Sequence, residues 1–487
     1  MNSMNPANTL LTDLYQLTMA QGYWESGKAH DEACFHMYFR ENPFKGGFSL
    51  ACGMAQVVDL VDSFGFSDDD ILYLETLEAP RGGRLFKKPF LDYLRNLELS
   101  VDVDAVYEGT VVFPNEPLVR VTGPIMQCQL LETALLNCVN FQTLVATKAA
   151  RVCLAAQVPV AEFGLRRSQG AGGGLWASRA AIVGGCASTS DVLAGKLYDI
   201  PVSGTHSHSW VMSFEDELES FRAYADFMPK NCVLLVDTYN VEQGIDNAIT
   251  VGLEMKKRGE SLSGIRIDSG DLAWFSKIAR MKLDDAGLTD CGIVLSNDLD
   301  EYTIQSLRDQ GACVTSYGVG TKLATAYDQP SLGGVYKLTA IKYAGSDEWQ
   351  DRLKITEQAA KLTFPGILDI RRYFYDDGRI AGDMVFDVNF GVNSSERIID
   401  PADSLRQKVL LGKRYETLLH PLARSGTSVL AAEYKDACSA QRRAQQNMAL
   451  LDESQKRMLN PHSYPVGLEC GLFERRHNLV VELRGIQ

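Results

Sequence analysis

The chain has 487 residues, of which 45% are hydrophobic and 23% charged, and a formal net charge of −14 at pH 7. That length gives a large core and room for about two to four domains, while the negative balance argues against bulk nucleic-acid binding, so an anionic substrate has to be met by a local cluster of arginines and lysines. Apolar stretches of membrane-spanning length are absent, the opening MNSMNPANTLLTDLY lacks the basic and apolar regions of a signal peptide, and the 11 scattered cysteines, without a C-x-x-C pair, suggest neither zinc site nor disulfide framework; the expectation is a cytoplasmic chain.

Leu10 to Met19 reads as a helix entry capped by Thr12 or Asp13, and Phe35 to Arg40 as an aromatic-rich strand ended by Asn42-Pro43. Asp102 to Val121, punctuated by glycine and proline, looks like short strands of a β-rich sandwich. A long helix is expected from about Pro124 to Ala156, its Leu131, Leu135, Val139 and Leu144 together with the small Ala146, Ala149 and Ala150 suggesting a buried, closely packed element.

From Pro159 the pattern becomes regular. Strand-length apolar runs recur at Val160 to Phe163, near Cys186, at Ile200 to Val202, Cys232 to Val236, Gly264 to Ile267, Gly292 to Leu295 and Cys313 to Tyr317. Helical patterns separate them, such as Phe214 to Met228, opened by Ser213 with Asp216 three residues on, and Val241 to Met255. This alternation implies a wound parallel α/β domain, and about seven units suggest a barrel or partial barrel. Strands at Gly333 to Leu338 and Arg371 to Tyr375 look like a return to the sandwich, and residues from about 400, including Asp436 to Met458, read as mostly helical. The expected division is therefore 1–140 as an N-terminal α+β sandwich, 141–330 as an α/β barrel catalytic domain, 331–400 as the return and 401–487 as a helical C-terminal region.

In a parallel α/β barrel the C-terminal ends of the strands converge on one rim, where sites are built. The residues just past the strands here are Arg166-Arg167, Ser188-Thr189-Ser190, Thr205 and His208, Asp237-Thr238, Arg266 to Asp271, Ser296-Asn297-Asp298 and Gly318 to Lys322. Gly318-x-Gly320-Thr321 suits a phosphate, with Lys322 adding charge, and equally suits an ordinary tight turn. Arg166 and Arg266 could clamp phosphates or a carboxylate, or pair with neighbouring acids. Asp268, Asp271 and Asp298 could accept ribose hydroxyls or hold Mg²⁺, although Asp271 also fits a helix N-cap. His208 could act as base, nucleophile or hydrogen-bond donor, with Asp237 placed to orient it. Taken together they fit a sugar-phosphate or nucleotide transferase better than a hydrolase, because no G-x-S-x-G elbow, H-E-x-x-H helix or Walker loop occurs.

Six ordered motifs resemble those of the nicotinate phosphoribosyltransferase family: Thr12-Asp13-Leu14-Tyr15-Gln16, Glu162 to Arg167, Gly204-Thr205-x-x-His208-Ser209, Asp237-Thr238-Tyr239, Arg266 to Asp271 and Tyr317 to Thr321. The resemblance implies a type II phosphoribosyltransferase: an irregular parallel α/β barrel with an open α+β sandwich domain, working as a homodimer with shared sites. Such an enzyme joins nicotinate to 5-phosphoribosyl-1-pyrophosphate with Mg²⁺ and with ATP as co-substrate, giving nicotinate mononucleotide and pyrophosphate at the entry to NAD salvage.

By the same resemblance His208 is the histidine that ATP phosphorylates and Asp237 holds its ring. Phe163, with Tyr15 of the partner subunit, sandwiches the pyridine. Gly318, Gly320 and Thr321 hold the 5-phosphate, Asp268 and Asp298 the ribose and metal side, and Arg166 faces phosphate or pyrophosphate. Thr205 belongs to the substrate-binding set and Arg266 to the catalytic one. Ser190, with Arg266 near it, stands where nicotinamide-using relatives place an aspartate, which favours the acid over the amide. His206 is read as a structural neighbour of His208. Nicotinamide phosphoribosyltransferase and a non-catalytic nucleotide-binding relative are the competing readings.

Overall fold

Short apolar runs that end in a polar or glycine residue form six parallel strands in a computed structural model that describes residues 9–355 and 363–485. In chain order these are β1 (Val160–Glu162), β2 (Ser188–Thr189), β3 (Val233–Leu235), β4 (Gly264–Ile267), β5 (Gly292–Asn297) and β6 (Ser316–Val319). They are hydrogen-bonded in the order β2-β1-β6-β5-β4-β3. Parallel neighbours require a crossover connection, and helices such as Gly170–Val183, Val241–Lys257, Leu272–Asp285 and Glu301–Asp309 provide it. Each crossover helix that leaves the rim beyond β3, β4 or β5 opens with a side-chain cap. Asn240 accepts from the Gln243 amide at 3.0 Å, Asp271 from Trp274 at 3.0 Å and Asp300 from Thr303 at 2.7 Å. Such caps satisfy otherwise orphaned N–H groups and fix where strand ends and helix begins.

These elements belong to a compact unit spanning Val145–Pro330. Two details of its sheet differ from the sequence pattern. The run at Ile200 to Val202 contributes a single parallel bridge, Val202 to Thr189, and beyond it the His206 ring, through Nε2, accepts the Leu235 amide at the edge strand β3 (3.1 Å). The described ladder is thus mixed α/β with an open edge on either side of this segment. The helix expected from Phe214 begins at Glu217, because Asp216 caps it by accepting from Glu219 N (2.7 Å), while Ser213 ends the preceding short helix His208–Met212.

The second unit comprises the chain up to Leu144 and from Ser331 onward. Its seven-stranded sheet includes Glu32–Tyr38, which pairs antiparallel with both Val119–Pro124 and Val335–Lys342. A six-stranded sheet surrounds the antiparallel pair Leu368–Phe374 and Ile380–Asp387. Between those two strands Arg372 and Asp383 form a fully buried ion pair (2.5 Å), and Tyr464 donates its hydroxyl to the same carboxylate (2.7 Å). The expected long helix is two, Ile125–Leu130 and Glu132–Ala156, the latter running across the boundary at residue 144.

The expectation of a mostly helical region after residue 400 is corrected. Gln407–Val409, Tyr415–Thr417, His420–Arg424, Thr427–Ser428 and Val466–Glu469 are strands, and the helices are chiefly Ala437–Ala449 and Cys470–Leu483. Left-handed Gly412 and Gly426 turn the chain between short strands there, which a helical reading of the polar composition passes over.

Candidate functional site

Side chains from the ends of β1, β2, β4 and the loop after Val202 enclose a cavity of about 480 Å³ within the parallel unit. Seven of the residues singled out by sequence line it: Phe163, Arg166, Ser190, Thr205, His208, Arg266 and Asp268. A larger cavity of about 880 Å³ lies in the other unit, and none of those residues touches it. Volume is therefore no guide to the chemistry here.

Arg266 is the anchor. On β4 its neighbours Ile265 and Ile267 are fully buried, whereas the alternation turns Arg266 toward the cavity. Its guanidinium donates from Nε to Ser296 Oγ (2.7 Å), from Nη1 to Thr205 Oγ1 (3.1 Å) and from Nη2 to Asp268 Oδ1 (2.9 Å). The charged carbon stands 5.5 Å from the Phe163 ring centroid, within cation–π range. Ser296 also donates to Asp268 Oδ1, so one hydroxyl of β5 locks the arginine and the carboxylate together.

His208 opens the helix His208–Met212. Its Nδ1 lies 3.1 Å from Thr238 Oγ1 and its Nε2 4.0 Å from Asp268 Oδ2. The expectation that Asp237 holds this ring is corrected. Asp237 Oδ2 accepts instead from the Asp268 amide (2.9 Å) and the Ser269 hydroxyl (2.6 Å), bracing the loop beyond β4, and Thr238, one residue further on, meets the imidazole. Asp237 Oδ1 is buried without a hydrogen-bond partner among the described residues, a costly state for a carboxylate oxygen unless a cation or water meets it. His206, by contrast, is buried. Burial, with the Arg266 and His208 charges, lowers its pKa to about 4 and keeps it neutral, as an acceptor for Leu235 N–H must be.

Phe163 hands its N–H to Val319 O (2.8 Å), and its ring lies against Gly318, where a Cβ would come within 2.6 Å of two ring carbons. Gly318 thus makes room for the aromatic wall. Among the serines of residues 188–190, Ser188 is engaged with Ser203 Oγ (2.5 Å) and Ser190 lines the cavity, its amide held by Glu162 O (2.9 Å). Arg166 is exposed on the turn Leu165–Arg167 and has no ion pair among the described residues.

Several sequence-predicted residues are not on the cavity wall. Gly320 and Thr321 follow β6, and Asp298 lies exposed just beyond β5, after Asn297, whose φ of 138° marks local strain. Lys322 is committed to Asp300 (2.7 Å) and Asp271 to its cap. Tyr15 belongs to the other unit, exposed in the first turn of the helix Leu14–Glu25.

Sequence reasoning left three positioning groups without a role: Thr238, Ser296 and Glu162. The first two stood in the rim inventory, and only their hydrogen bonds distinguish them. Glu162 offered two signals, a charge within an apolar run and its place at the head of the Glu162 to Arg167 motif.

An arginine, two aspartates and a histidine are thus gathered past parallel strands, with a glycine turn nearby. The chain belongs to the nicotinate phosphoribosyltransferase family. Residues 10–140 match the model of that family's N-terminal domain, 159–354 the family model itself and 369–476 its C-terminal domain. Among its relatives, nicotinate phosphoribosyltransferase of Bacillus subtilis (strain 168) is 40% identical over 481 residues, covering 98% of this chain and 96% of that one. The Homo sapiens nicotinate phosphoribosyltransferase is 37% identical over 436 residues, 78% of this chain and 79% of that one. The crystal structure of human nicotinic acid phosphoribosyltransferase superimposes with a TM-score of 0.83 at 32% identity, over 96% of this chain and 99% of that one.

Proposed function

We propose that this chain transfers the 5-phosphoribosyl group of 5-phosphoribosyl-1-pyrophosphate to nicotinate, giving nicotinate mononucleotide and pyrophosphate, and so opens NAD salvage from the acid. The observation that carries the reading is the fixed Arg266 over Phe163, with Ser190 on the same cavity wall: a flat ring and a carboxylate are the two things this wall suits. Sequence similarity over almost the whole of both chains supports the same activity.

In this reaction the pyridine nitrogen attacks the anomeric carbon as pyrophosphate leaves. The nitrogen carries no proton, so the enzyme has only to position the two substrates and stabilise charge on the leaving group. Phe163 and, in a homodimer, Tyr15 of the partner subunit would hold the ring. Arg266 and Ser190 would receive its carboxylate, and an aspartate in place of Ser190 would repel it. Arg166, free of an acid partner among the described residues, would face pyrophosphate, and Gly318, Gly320 and Thr321 would carry the 5-phosphate. Asp237 acts by bracing the loop of Asp268, and Thr205 by holding Arg266.

Mg²⁺ fits these residues. The uncommitted, buried Asp237 Oδ1 and the Asp268 Oδ2 edge are hard oxygen donors, and among the described residues no cluster of three or more His, Cys, Asp or Glu forms a protein-only cage. That suits an ion held mainly by substrate oxygens and water, with Asp268 and Asp298 contributing. When bound it neutralises pyrophosphate charge. ATP enters as co-substrate, phosphorylating His208. Thr238 occupies Nδ1, which leaves Nε2 as the acceptor facing Asp268.

The parallel sheet reads as an irregular barrel whose seam is spanned by Val202 and His206 rather than by a continuous ladder. A homodimer is supported by the exposed apolar side chains Leu14, Tyr15 and Met19 on the helix Leu14–Glu25, with exposed Leu11 just before it. No described helix is long and apolar enough to cross a membrane, and we place the enzyme in the cytoplasm.

The test is product formation from labelled nicotinate or nicotinamide with 5-phosphoribosyl-1-pyrophosphate and Mg²⁺. Mononucleotide from the acid alone supports the reading; from the amide alone, or from neither, it fails.

A further inference from the structure

We infer that Glu162 is the positioning residue that aligns the two walls of the nicotinate pocket, setting Phe163 against Ser190 through one buried carboxylate. This rests on the function proposed above, but no role in that reaction has been given to Glu162 so far.

Glu162 ends β1 and is 0% exposed. Its Oε1 accepts from the Gly164 amide, in the loop that carries Phe163 and Arg166. Its Oε2 accepts from Thr189 Oγ1 (2.6 Å), in the strand that leads into Ser190, and from Ser178 Oγ (3.0 Å) on the helix Gly170–Val183. Its own carbonyl takes the Ser190 amide (2.9 Å). One residue therefore joins the aromatic-bearing loop to the serine-bearing one, where β1 and β2 are otherwise paired at only two register positions, Ala161 to Ser188 and Glu162 to Thr189.

Packing narrows the arrangement further. A Cβ on Gly164 would lie 2.8 Å from Glu162 Oε1, 2.8 Å from Gly320 O and 2.3 Å from Ala324 Cβ, so the turn beyond β6 closes on the same point. A carboxylate is an expensive way to fill this space, since an apolar side chain avoids desolvation. What the carboxylate adds is direction: three donors, on a loop, a strand and a helix, converge on two oxygens. Burial raises its pKa, while the Thr189, Gly164 and Ser178 bonds pull the other way, because all three favour the charged acceptor.

Glu162→Gln keeps the shape and one acceptor but turns an NH₂ group toward Thr189 and Ser178. Thr189→Val, at nearly constant volume, removes the bond to Glu162 and with it the one that the Thr189 hydroxyl accepts from the Asp191 amide (3.1 Å). The expected result is a rise of about tenfold in the KM for nicotinate in Glu162→Gln and about threefold in Thr189→Val, the range that net loss of an ordinary hydrogen bond gives. The KM for 5-phosphoribosyl-1-pyrophosphate and the melting temperature stay close to wild type. The double variant should raise the nicotinate KM by less than the product of the two single effects, because both changes cut the Thr189–Glu162 bond and only the Asp191 contact is lost separately.

A merely structural role would lower the folded fraction and the apparent kcat while leaving the nicotinate KM unchanged, and that result in Thr189→Val overturns the inference even if Glu162→Gln fails to fold. Calorimetric titration of wild type with nicotinate separates the two levels. No binding overturns both the function and this inference, whereas binding with unaltered KM in the variants overturns the inference alone.

Discussion

Two arginine–aspartate pairs, one in each unit, show how the same chemistry serves opposite ends. Arg372 and Asp383 are 2% and 0% exposed, and their remaining polar capacity is absorbed nearby, with Tyr464 donating to the same carboxylate. Around them burial and the Asp383 charge push the Glu116 carboxyl well above the usual carboxylate range. Arg266 and Asp268 are 15% and 27% exposed and leave acceptors over: Asp268 Oδ2 faces His208 and the neighbouring Asp237 Oδ1 has no partner among the described residues. A closed pair stabilises a fold, whereas an open pair holds an arginine rigid and keeps carboxylate edges available to a ligand.

The comparison is broken most severely by neutralising the closed pair. Asp383→Asn leaves Arg372 buried without its countercharge and should cost about 3–5 kcal/mol. The loss would appear in urea unfolding, with turnover per folded molecule unchanged. Arg266→Ala should do the reverse. Turnover falls by about a hundred- to a thousandfold, as for removal of one fixed charge-stabilising donor, while the unfolding midpoint moves little. If the two variants exchange these phenotypes, the distinction between closed and open pair is wrong.

Acid provides a milder perturbation. His206 has a folded pKa of about 4 against 6.5 unperturbed, so the neutral ring contributes stability that is fully present above pH 6.5 and is lost as pH falls toward 4. That contribution is about 3 kcal/mol at most. His206→Asn should flatten this part of the pH dependence of the unfolding free energy; an unchanged slope would remove His206 from the seam. Smaller again, Ser190→Asp should shift the preference for nicotinate over nicotinamide by about tenfold toward the amide, read as a ratio of kcat/KM.

Much of this site was legible before any coordinates. The helix cap at Asp271, the parallel rhythm, and the strand ends carrying Arg266, Asp268 and His208 all follow from local rules that neighbouring residues enforce. What escaped depends on single-residue offsets and on direction. Whether Asp237 or Thr238 meets the His208 ring is decided by how the chain turns after β3, and both are sound hydrogen-bonding residues in sequence. Gly318 looked like a phosphate glycine, yet its immediate duty is to admit the Phe163 ring, a contact between residues 155 positions apart that periodicity does not encode. The strands after residue 406 were missed because short, exposed polar strands such as Tyr415–Thr417 have no alternating apolar face to announce them.

The most direct test of the open rim is nicotinate turnover with 5-phosphoribosyl-1-pyrophosphate and Mg²⁺, with and without ATP, in wild type and His208→Ala. The account predicts that ATP accelerates mononucleotide formation in wild type only, and that label from the γ-phosphate is found on wild-type protein and not on the variant. Equal acceleration by ATP in both proteins would contradict it.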